Sequence, residues 1–163
     1  MRRILGIDPG LAHMGWGIID QIGSRLVHVE HGVISTKAGG DIGARLVTLH
    51  IQLVSIIQRL SPLEIAIEQP FVHKDPSAAL KLGYARATAL LAGAQANLVI
   101  AEYTPNHIKK SVVGSGHAQK DQVMFMVRRL LPTAGVTETD AADALGVAIT
   151  HAHMCGDRLR PVL

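Results

Sequence analysis

Residues 3–10 read Arg-Ile-Leu-Gly-Ile-Asp-Pro-Gly, an apolar run closed by an acid and a turn. The apolar run predicts a short buried β-strand, and the Pro9-Gly10 pair predicts a turn directly after it. Asp8 is therefore the residue on which a buried strand ends. Two further strands are predicted at residues 14–20 and 26–35, the first of them forming a hairpin-like pair with the opening strand.

The remaining sequence alternates between strand and helix patterns. A mixed order of this kind predicts an α/β fold, with a five-stranded mixed sheet and helices on both of its faces. The length of 163 residues fits a single domain spanning 1–163. Downstream of the first three strands, helices are expected at about 41–60, 77–95, 105–112, 119–131 and 139–153, and strands at 63–68 and 98–102.

The composition of the chain indicates what kind of partner it binds and in which compartment it works. The net charge of +3 and the pI near 9.3 favour a polyanionic partner. The single cysteine, Cys155, excludes an internal disulfide and a multi-cysteine zinc site, and it fits a reducing cytoplasm. We expect no signal peptide, because the turn at Asp8-Pro9-Gly10 follows the basic residues Arg2 and Arg3 almost at once. We expect no membrane span, because no run of about 18 apolar residues occurs. A cytoplasmic protein is the expectation.

Four acids occupy positions that suit a metal site. Asp8 and Glu68 each end a predicted strand, and Asp140 and Asp143 lie three residues apart on one face of the last helix. Clustered carboxylates beside apolar strands oppose one another's ionisation, and a divalent cation relieves that conflict. Oxygen ligands suit Mg²⁺ or Mn²⁺, and two ions about 3.5–4 Å apart can activate water and stabilise the leaving oxygen of a phosphodiester.

Each acid also has an ordinary structural interpretation. Asp8 before Pro-Gly is typical of a turn, and Glu68 could be a solvated strand end. Asp140 could cap the last helix, and Asp143 could complement its dipole. Taken singly, each acid is more often structural than catalytic; taken together, they form the pattern of a metal nuclease.

Several sequence blocks, in this order, resemble the RuvC family of Holliday-junction resolvases. They span nearly the whole chain at about the family's length. The blocks are Ile7-Asp8-Pro9-Gly10, Gly15-Trp16-Gly17, Ile67-Glu68-Gln69, Ala79-Leu80-Lys81-Leu82-Gly83, Val112-Val113-Gly114-Ser115-Gly116 and Asp140-Ala141-Ala142-Asp143-Ala144-Leu145.

The resemblance implies an RNase H-like fold, a homodimer, and cleavage of four-way DNA junctions by paired symmetric nicks. It implies that RuvA and RuvB, the branch-migration proteins, are partners, and that the family cuts within a short T-rich tetranucleotide. The four acids match the family's metal-binding residues, which implies catalysis with Mg²⁺, with Mn²⁺ able to substitute and two ions in each site.

Three further residues are matched to DNA contacts by the same resemblance. Lys109 and Lys120 match basic residues near the scissile phosphate, and they flank the glycine-rich loop at 113–118. A lysine there would offset charge developing on the phosphate. Phe71 matches an aromatic that contacts bases at the junction centre, although Pro70 before it departs from the family's pattern and could re-aim the ring.

Two other functions fit parts of the pattern. Another RNase H-like nuclease, acting on RNA·DNA hybrids or structured RNA, would use the same acids. A junction-binding dimer without catalysis would gain nothing from clustered acids, which repel DNA. No Walker A site is predicted, because the glycine-rich loop lacks the Gly-Lys-Ser/Thr sequence. No histidine metal site is predicted, because His151 and His153, two residues apart on a helix, diverge.

Overall fold

The computed structural model describes residues 1–70 and 75–156. Ten elements lie within these ranges, and they follow the predicted order closely. The strands are β1 (Arg2–Asp8), β2 (His13–Ile22), β3 (Arg25–Ser35), β4 (Glu64–Glu68) and β5 (Val99–Tyr103). The helices are α1 (Ile42–Leu60), α2 (Pro76–Gln95), α3 (Pro105–Val113), α4 (Lys120–Leu130) and α5 (Thr139–Gly156).

The five strands form one mixed sheet in the order β3-β2-β1-β4-β5. β1 pairs antiparallel with β2 and parallel with β4, and β4 pairs parallel with β5. Because β1 and β4 are parallel neighbours, their carboxyl ends meet at one edge of the sheet, where Ile7 pairs with Ile67. The next residues, Asp8 and Glu68, are thereby brought side by side.

Helices cover both faces of the sheet, which confirms the predicted architecture. Leu5 and Ile67 on one face pack with Leu53 of α1 and Ala89 of α2. On the other face, the residues packed with α3, α4 and α5 include Ile4 of β1, Ile19 of β2 and Ala66 of β4. Asp41 caps α1 as predicted, its carboxylate accepting a hydrogen bond from the Ala44 amide.

The amino-terminal half of α5 lies directly on the backbone of β1 and β2. A Cβ atom on Gly15 would lie 1.9 Å from the carbonyl oxygen of Asp140, and one on Gly6 would lie 2.1 Å from that of Ala144. No side chain fits at either position, so glycine is required for the close approach. These bare strand positions determine how near α5 comes to the sheet.

The beginning of β4 differs from the prediction. We expected Leu63 to face the same way as Ile65 and Ile67, which are fully buried, but the strand begins at Glu64 and Leu63 is 58% exposed. Ala66, on the opposite face, is buried under α5. Helices on both faces bury the middle of β4, so polar and apolar faces do not alternate there. No helix in residues 1–70 and 75–156 has the length and apolarity needed to cross a membrane.

Candidate active site

The four predicted acids converge at the carboxyl ends of β1 and β4. Alternation along the strands places Asp8 on the face of Gly6, and Glu68 on the face of Ala66, which is the face that α5 covers. Asp140 and Asp143 project from the first turns of α5. The carboxylates of Glu68, Asp143 and Asp140 all act electrostatically on Asp8, so the structure unites residues from three elements.

The capping interpretation of Asp140 does not match the structure. α5 begins at Thr139, so Asp140 is its second helical residue and lies inside the first turn. The Ala142 amide donates to the carbonyl of Glu138, the residue just before the helix. Asp140 is thus left beside Asp143 and available to the acid cluster.

Burial and the charges of neighbouring acids raise the pKa of Asp8, Glu68 and Asp143. For Asp8, burial and then the charges of Glu68, Asp143 and Asp140 raise the pKa to about 8. For Glu68, burial and then Asp143 raise the pKa to about 7. Burial also raises the pKa of Asp143, although the charge of Lys120 acts against that shift. Near neutral pH, the cluster therefore retains protons that a cation would displace.

The donor set fits a hard divalent cation. All four ligating groups are carboxylates, which supply the oxygen atoms that Mg²⁺ and Mn²⁺ prefer. The raised pKa values of Asp8, Glu68 and Asp143 reflect the cost of holding several negative charges together in a buried place. Asp8, Glu68, Asp140 and Asp143 are therefore the residues that would hold the metal.

Two lysines border the acid cluster, as the sequence predicted. Lys120 begins α4, and its Nζ atom lies 3.5 Å from Oδ2 of Asp143 while its side chain is 72% exposed. The charge of Lys109, on α3, acts on both Glu68 and Asp143. The two lysines therefore supply positive charge at the mouth of an otherwise acidic site.

Comparison with known proteins identifies the family. The sequence matches the family model described as "Crossover junction endodeoxyribonuclease RuvC" over residues 4–151. Proteins of that name from Methylocella silvestris and Cereibacter sphaeroides are 53% and 54% identical to it, over 96% and 93% of this chain and 89% of each relative. This chain belongs to the RuvC family.

Superposition on solved structures compares the fold of this chain with those of known resolvases. A structure of Thermus thermophilus RuvC in complex with a Holliday junction substrate superposes with a TM-score of 0.90, at 29% identity and over 97% of both chains. The yeast mitochondrial Holliday junction resolvase Ydc2 superposes with a TM-score of 0.70 at 15% identity, over 98% of this chain and 82% of that one. The second match shows a shared fold, and the first confirms the RNase H-like architecture of this RuvC-family chain.

Phe71 lies outside the described residues, so its contact with junction bases stays a prediction. The chain is described up to Pro70, which is half-buried, and the amide of Gln69 donates to the carbonyl of Tyr103 on β5. This hydrogen bond anchors the end of β4 next to the sheet edge that carries the acids.

Sequence reasoning missed how α5 is positioned. The motif Gly15-Trp16-Gly17 was used only as a mark of the RuvC family, although glycines two apart on a strand leave one face of that strand without side chains. A bare face beside a predicted helix is a signal for close packing. The structure shows this packing, since a Cβ atom on Gly17 would lie 2.6 Å from the Leu145 side chain of α5.

The raised pKa values predict an unusual dependence of stability on pH. Without metal, Asp8 and Glu68 bind more protons in the folded protein than in the unfolded chain at pH values between the ordinary carboxyl pKa, about 4, and their folded pKa values, about 8 and about 7. The contribution of these acids to the free energy of unfolding therefore falls as pH rises through that window, and Mg²⁺ should stabilise the protein more at pH 8 than at pH 5.5.

Urea unfolding with EDTA and with Mg²⁺, at several pH values, measures both effects. Asp8→Asn is the control, because an amide does not titrate, and it should remove much of the fall in stability. An equal pH dependence in the wild type and in Asp8→Asn would contradict the assignment.

Proposed function

We propose that this chain is a structure-selective DNA endonuclease that resolves four-way (Holliday) junctions by paired symmetric nicks. The residues form a single nuclease domain, and Asp8, Glu68, Asp140 and Asp143 hold Mg²⁺ for phosphodiester hydrolysis. The observation that carries this proposal is the convergence of these four acids in a chain of the RuvC family. A protein that only bound junctions would gain nothing from such a cluster, because its charge repels DNA.

The proposal gives separate tasks to the acids and the lysines. Mg²⁺ held by the four carboxylates would supply an activated water and offset charge on the phosphate. Asp8 and Glu68 are held in place at the ends of their strands, while Asp140 and Asp143 are held in place by the close packing of α5 on the sheet. Because Lys120 is exposed beside Asp143, its ammonium group can contact a phosphate entering the site.

The proposal is tested with a synthetic four-way junction and a linear duplex of the same sequence, each with and without Mg²⁺. We expect paired nicks at symmetric positions in the junction only, and only with the metal. Cleavage of an RNA·DNA hybrid in preference to the junction would instead support the alternative function, that of an RNase H-like nuclease acting on RNA·DNA hybrids or structured RNA. Junction binding without cleavage in Mg²⁺ or Mn²⁺ would show a protein that recognises junctions without cutting them.

Lys109→Ala and Lys120→Ala should each slow junction cleavage, since each removes positive charge beside the reacting phosphate. Lys120→Ala should also weaken binding and lower the log–log salt slope by about 0.9, the contribution of one phosphate contact. Rates under saturating enzyme and binding at several salt concentrations measure the two effects.

The matched control is Lys110→Ala. Lys110 is exposed on α3 next to Lys109, and its removal changes the net charge equally. We expect near-native cleavage from this variant. If Lys109→Ala and Lys120→Ala behaved like Lys110→Ala, the two lysines would be ordinary solvated residues.

A homodimer is the assembly that suits paired nicks, because a four-way junction offers two equivalent strands and a two-fold dimer offers two equivalent sites. α2 exposes an apolar stripe beside α1, and we propose that this stripe is the dimer interface. Leu80 and Leu91 are 55% and 52% exposed, and Val47 and Ile51 of α1 are also exposed. Residues of both helices line one groove on this surface: Leu46, Val47, His50, Tyr84, Ala87, Thr88 and Leu91.

The other small and aliphatic residues of α2 differ in exposure. Gly83 and Ala87 are exposed, whereas Ala79, Leu82 and Leu90 are half-buried. Leu80, Gly83, Ala87 and Leu91 recur at helical spacing, so they lie on one side of α2. A second copy of this chain is the occupant we propose for the groove.

Leu91→Glu should convert the dimer to a monomer, because it places a charge in the middle of an apolar contact. Sedimentation at micromolar concentration measures the assembly, and junction cleavage by the monomer should lose the pairing of the two nicks. Leu63→Glu, at an exposed leucine before β4, is the control and should leave the dimer intact. A wild-type protein that sedimented as a monomer with and without junction DNA would contradict this proposal.

Two further elements of the proposal follow from family membership. RuvA and RuvB, the branch-migration proteins, are the proposed partners on the junction. The cytoplasm is the proposed location, which agrees with a lone cysteine. Co-purification of tagged protein with RuvA and RuvB on junction DNA tests the partnership directly.

A further inference from the structure

A second cluster of ligating side chains lies at the other end of β4. Glu64 is the first residue of β4 and Glu68 the last, so the two are separated by about 13 Å along the strand. Glu64 faces His151 and Cys155 of α5, and the ligating atoms of the three residues all lie within 4.8 Å of one another. This cluster is therefore distinct from the four catalytic acids.

The three side chains are positioned to converge on one point. His151 and Cys155 are four residues apart on α5, so they share one face of the helix. The Nε2 atom of His151 lies 2.5 Å from Oε2 of Glu64 and 3.9 Å from Sγ of Cys155. His151 is only 2% exposed, which fixes its ring in this direction.

We propose that Glu64, His151 and Cys155 form a zinc site, separate from the magnesium site that the proposed function requires. A thiolate, an imidazole and a carboxylate are the ligands that Zn²⁺ takes in proteins, whereas Mg²⁺ avoids sulfur and seldom takes imidazole. Three protein ligands leave the fourth tetrahedral position to a water molecule. The negative charges of the thiolate and the carboxylate together offset the two charges of the ion.

The surrounding residues support the ligands in the way that metal sites require. The Nδ1 atom of His151 lies 2.8 Å from the hydroxyl oxygen of Tyr103. A histidine that binds metal through Nε2 carries its proton on Nδ1, and that N–H would donate to the tyrosine oxygen. Ring orientation and tautomer are thereby held by a residue on β5.

Arg2 supports the carboxylate ligand. Its Nε atom donates to Oε1 of Glu64 at 2.7 Å and its Nη2 atom donates to Oε2 at 2.5 Å. Arg2 also lies close enough to Cys155 to interact with it electrostatically. Hydrogen bonds of this kind to a ligating carboxylate fix its orientation.

Zinc binding would proceed with a defined change in protons. The proton balance is counted from an imidazole that carries its proton on Nε2, next to Glu64, and from a protonated thiol. On binding, the imidazole proton moves from Nε2 to Nδ1, the thiol proton is released to solvent, and no electrons are transferred. One proton is therefore released for each ion bound when the thiol is initially protonated.

The site would fasten the carboxyl end of α5 to β4. The amino end of the same helix carries Asp140 and Asp143. The bound ion would therefore stabilise the end of α5 that lies away from the proposed catalytic site. Cys155→Ser should consequently leave junction cleavage unchanged at a temperature where the protein is folded.

Cobalt(II) is the probe for the experiment, added to the full chain in a non-chelating reductant. A thiolate bound to Co²⁺ gives a charge-transfer absorption in the near ultraviolet, and Cys155 is the chain's only cysteine, so this absorption can arise at no other site. We expect one equivalent of Co²⁺ to produce the band and one equivalent of Zn²⁺ to abolish it. Asp143→Asn should retain the band, because that change affects only the acid cluster.

Two variants separate the proposal from its alternatives. Cys155→Ser should lose the band and bind Zn²⁺ at least tenfold more weakly, and Glu64→Gln should also weaken binding. Absence of the band in the wild type, or equal Zn²⁺ affinity in the wild type and Cys155→Ser, would overturn the proposal and leave Arg2, Glu64 and His151 as a metal-free ion-pair network. Zinc bound only at the catalytic acids would persist in Cys155→Ser and disappear in Asp8→Asn, which also overturns it.

Discussion

Replacing any one of the four acids by its amide should lower the rate of junction cleavage by about a thousandfold. The metal that they would hold contributes several kcal/mol to stabilising charge in the transition state, and about 1.4 kcal/mol corresponds to a factor of ten. Junction binding should be unchanged or tighter, because each substitution removes negative charge from a surface that faces phosphates. The variants are Asp8→Asn, Glu68→Gln, Asp140→Asn and Asp143→Asn.

Single-turnover cleavage in Mg²⁺ and junction binding in Ca²⁺ or EDTA measure the two quantities separately. Asp121→Asn is a matched control, since Asp121 is an exposed acid in the first turn of α4 next to Lys120. It should cut at nearly the wild-type rate. Near-native cleavage by two of the four acid variants would show that the metal site has been assigned to the wrong residues.

Gly15→Ala should reduce cleavage by about a hundredfold or more, although it changes no ionisable group. Its Cβ atom would lie 1.9 Å from the carbonyl oxygen of Asp140, which forces the first turn of α5 away from the sheet. Displacement of a catalytic group by about 1 Å costs a rate factor of about a hundred. The overpacking should also lower the free energy of unfolding by about 1–3 kcal/mol.

Gly146→Ala is the control for this prediction. Gly146 lies on the same helix, and its added Cβ atom would meet its nearest neighbours at ordinary contact distances of 3.7 Å and above. That variant should cut normally and gain up to about 1 kcal/mol of stability from the higher helix propensity of alanine. If Gly15→Ala cut junctions as fast as Gly146→Ala, the close packing of α5 on the sheet would not determine the positions of Asp140 and Asp143.

Most of the fold was predictable from local sequence patterns. The apolar run before Asp8, the amphipathic stripe of α1 and the Asp41 cap are local signals, and each predicted the correct element. The predicted start of β4 at Leu63 was one residue too early, because the boundary of a strand depends on the strands with which it pairs. β4 pairs with β1 from Glu64 onward, and no property of Leu63 itself records that.

The site was predictable in its residues but not in its geometry. Two strand-end acids and a helical pair indicated a clustered metal site, yet the arrangement of the four side chains could not be derived, since Asp8 and Asp143 are far apart in sequence. The pairing of Glu64 with His151 spans 87 residues and involves two residues that sequence alone leaves unremarkable. His151 and His153 do diverge as expected, the first being buried and the second exposed.

The contact between α5 and the sheet has a consequence for second-site suppression. At Gly15 the obstacle to a larger residue is a carbonyl oxygen of α5, and every amino acid carries that oxygen, so no substitution on the helix can make room. At Gly17 the obstacle is the side chain of Leu145, which a smaller residue would remove. Leu145→Ala should therefore relieve the severe part of the clash in Gly17→Ala and leave only the Leu145 amide nitrogen, 3.3 Å from the added Cβ atom, whereas a change at Gly15 has no partner whose alteration restores it.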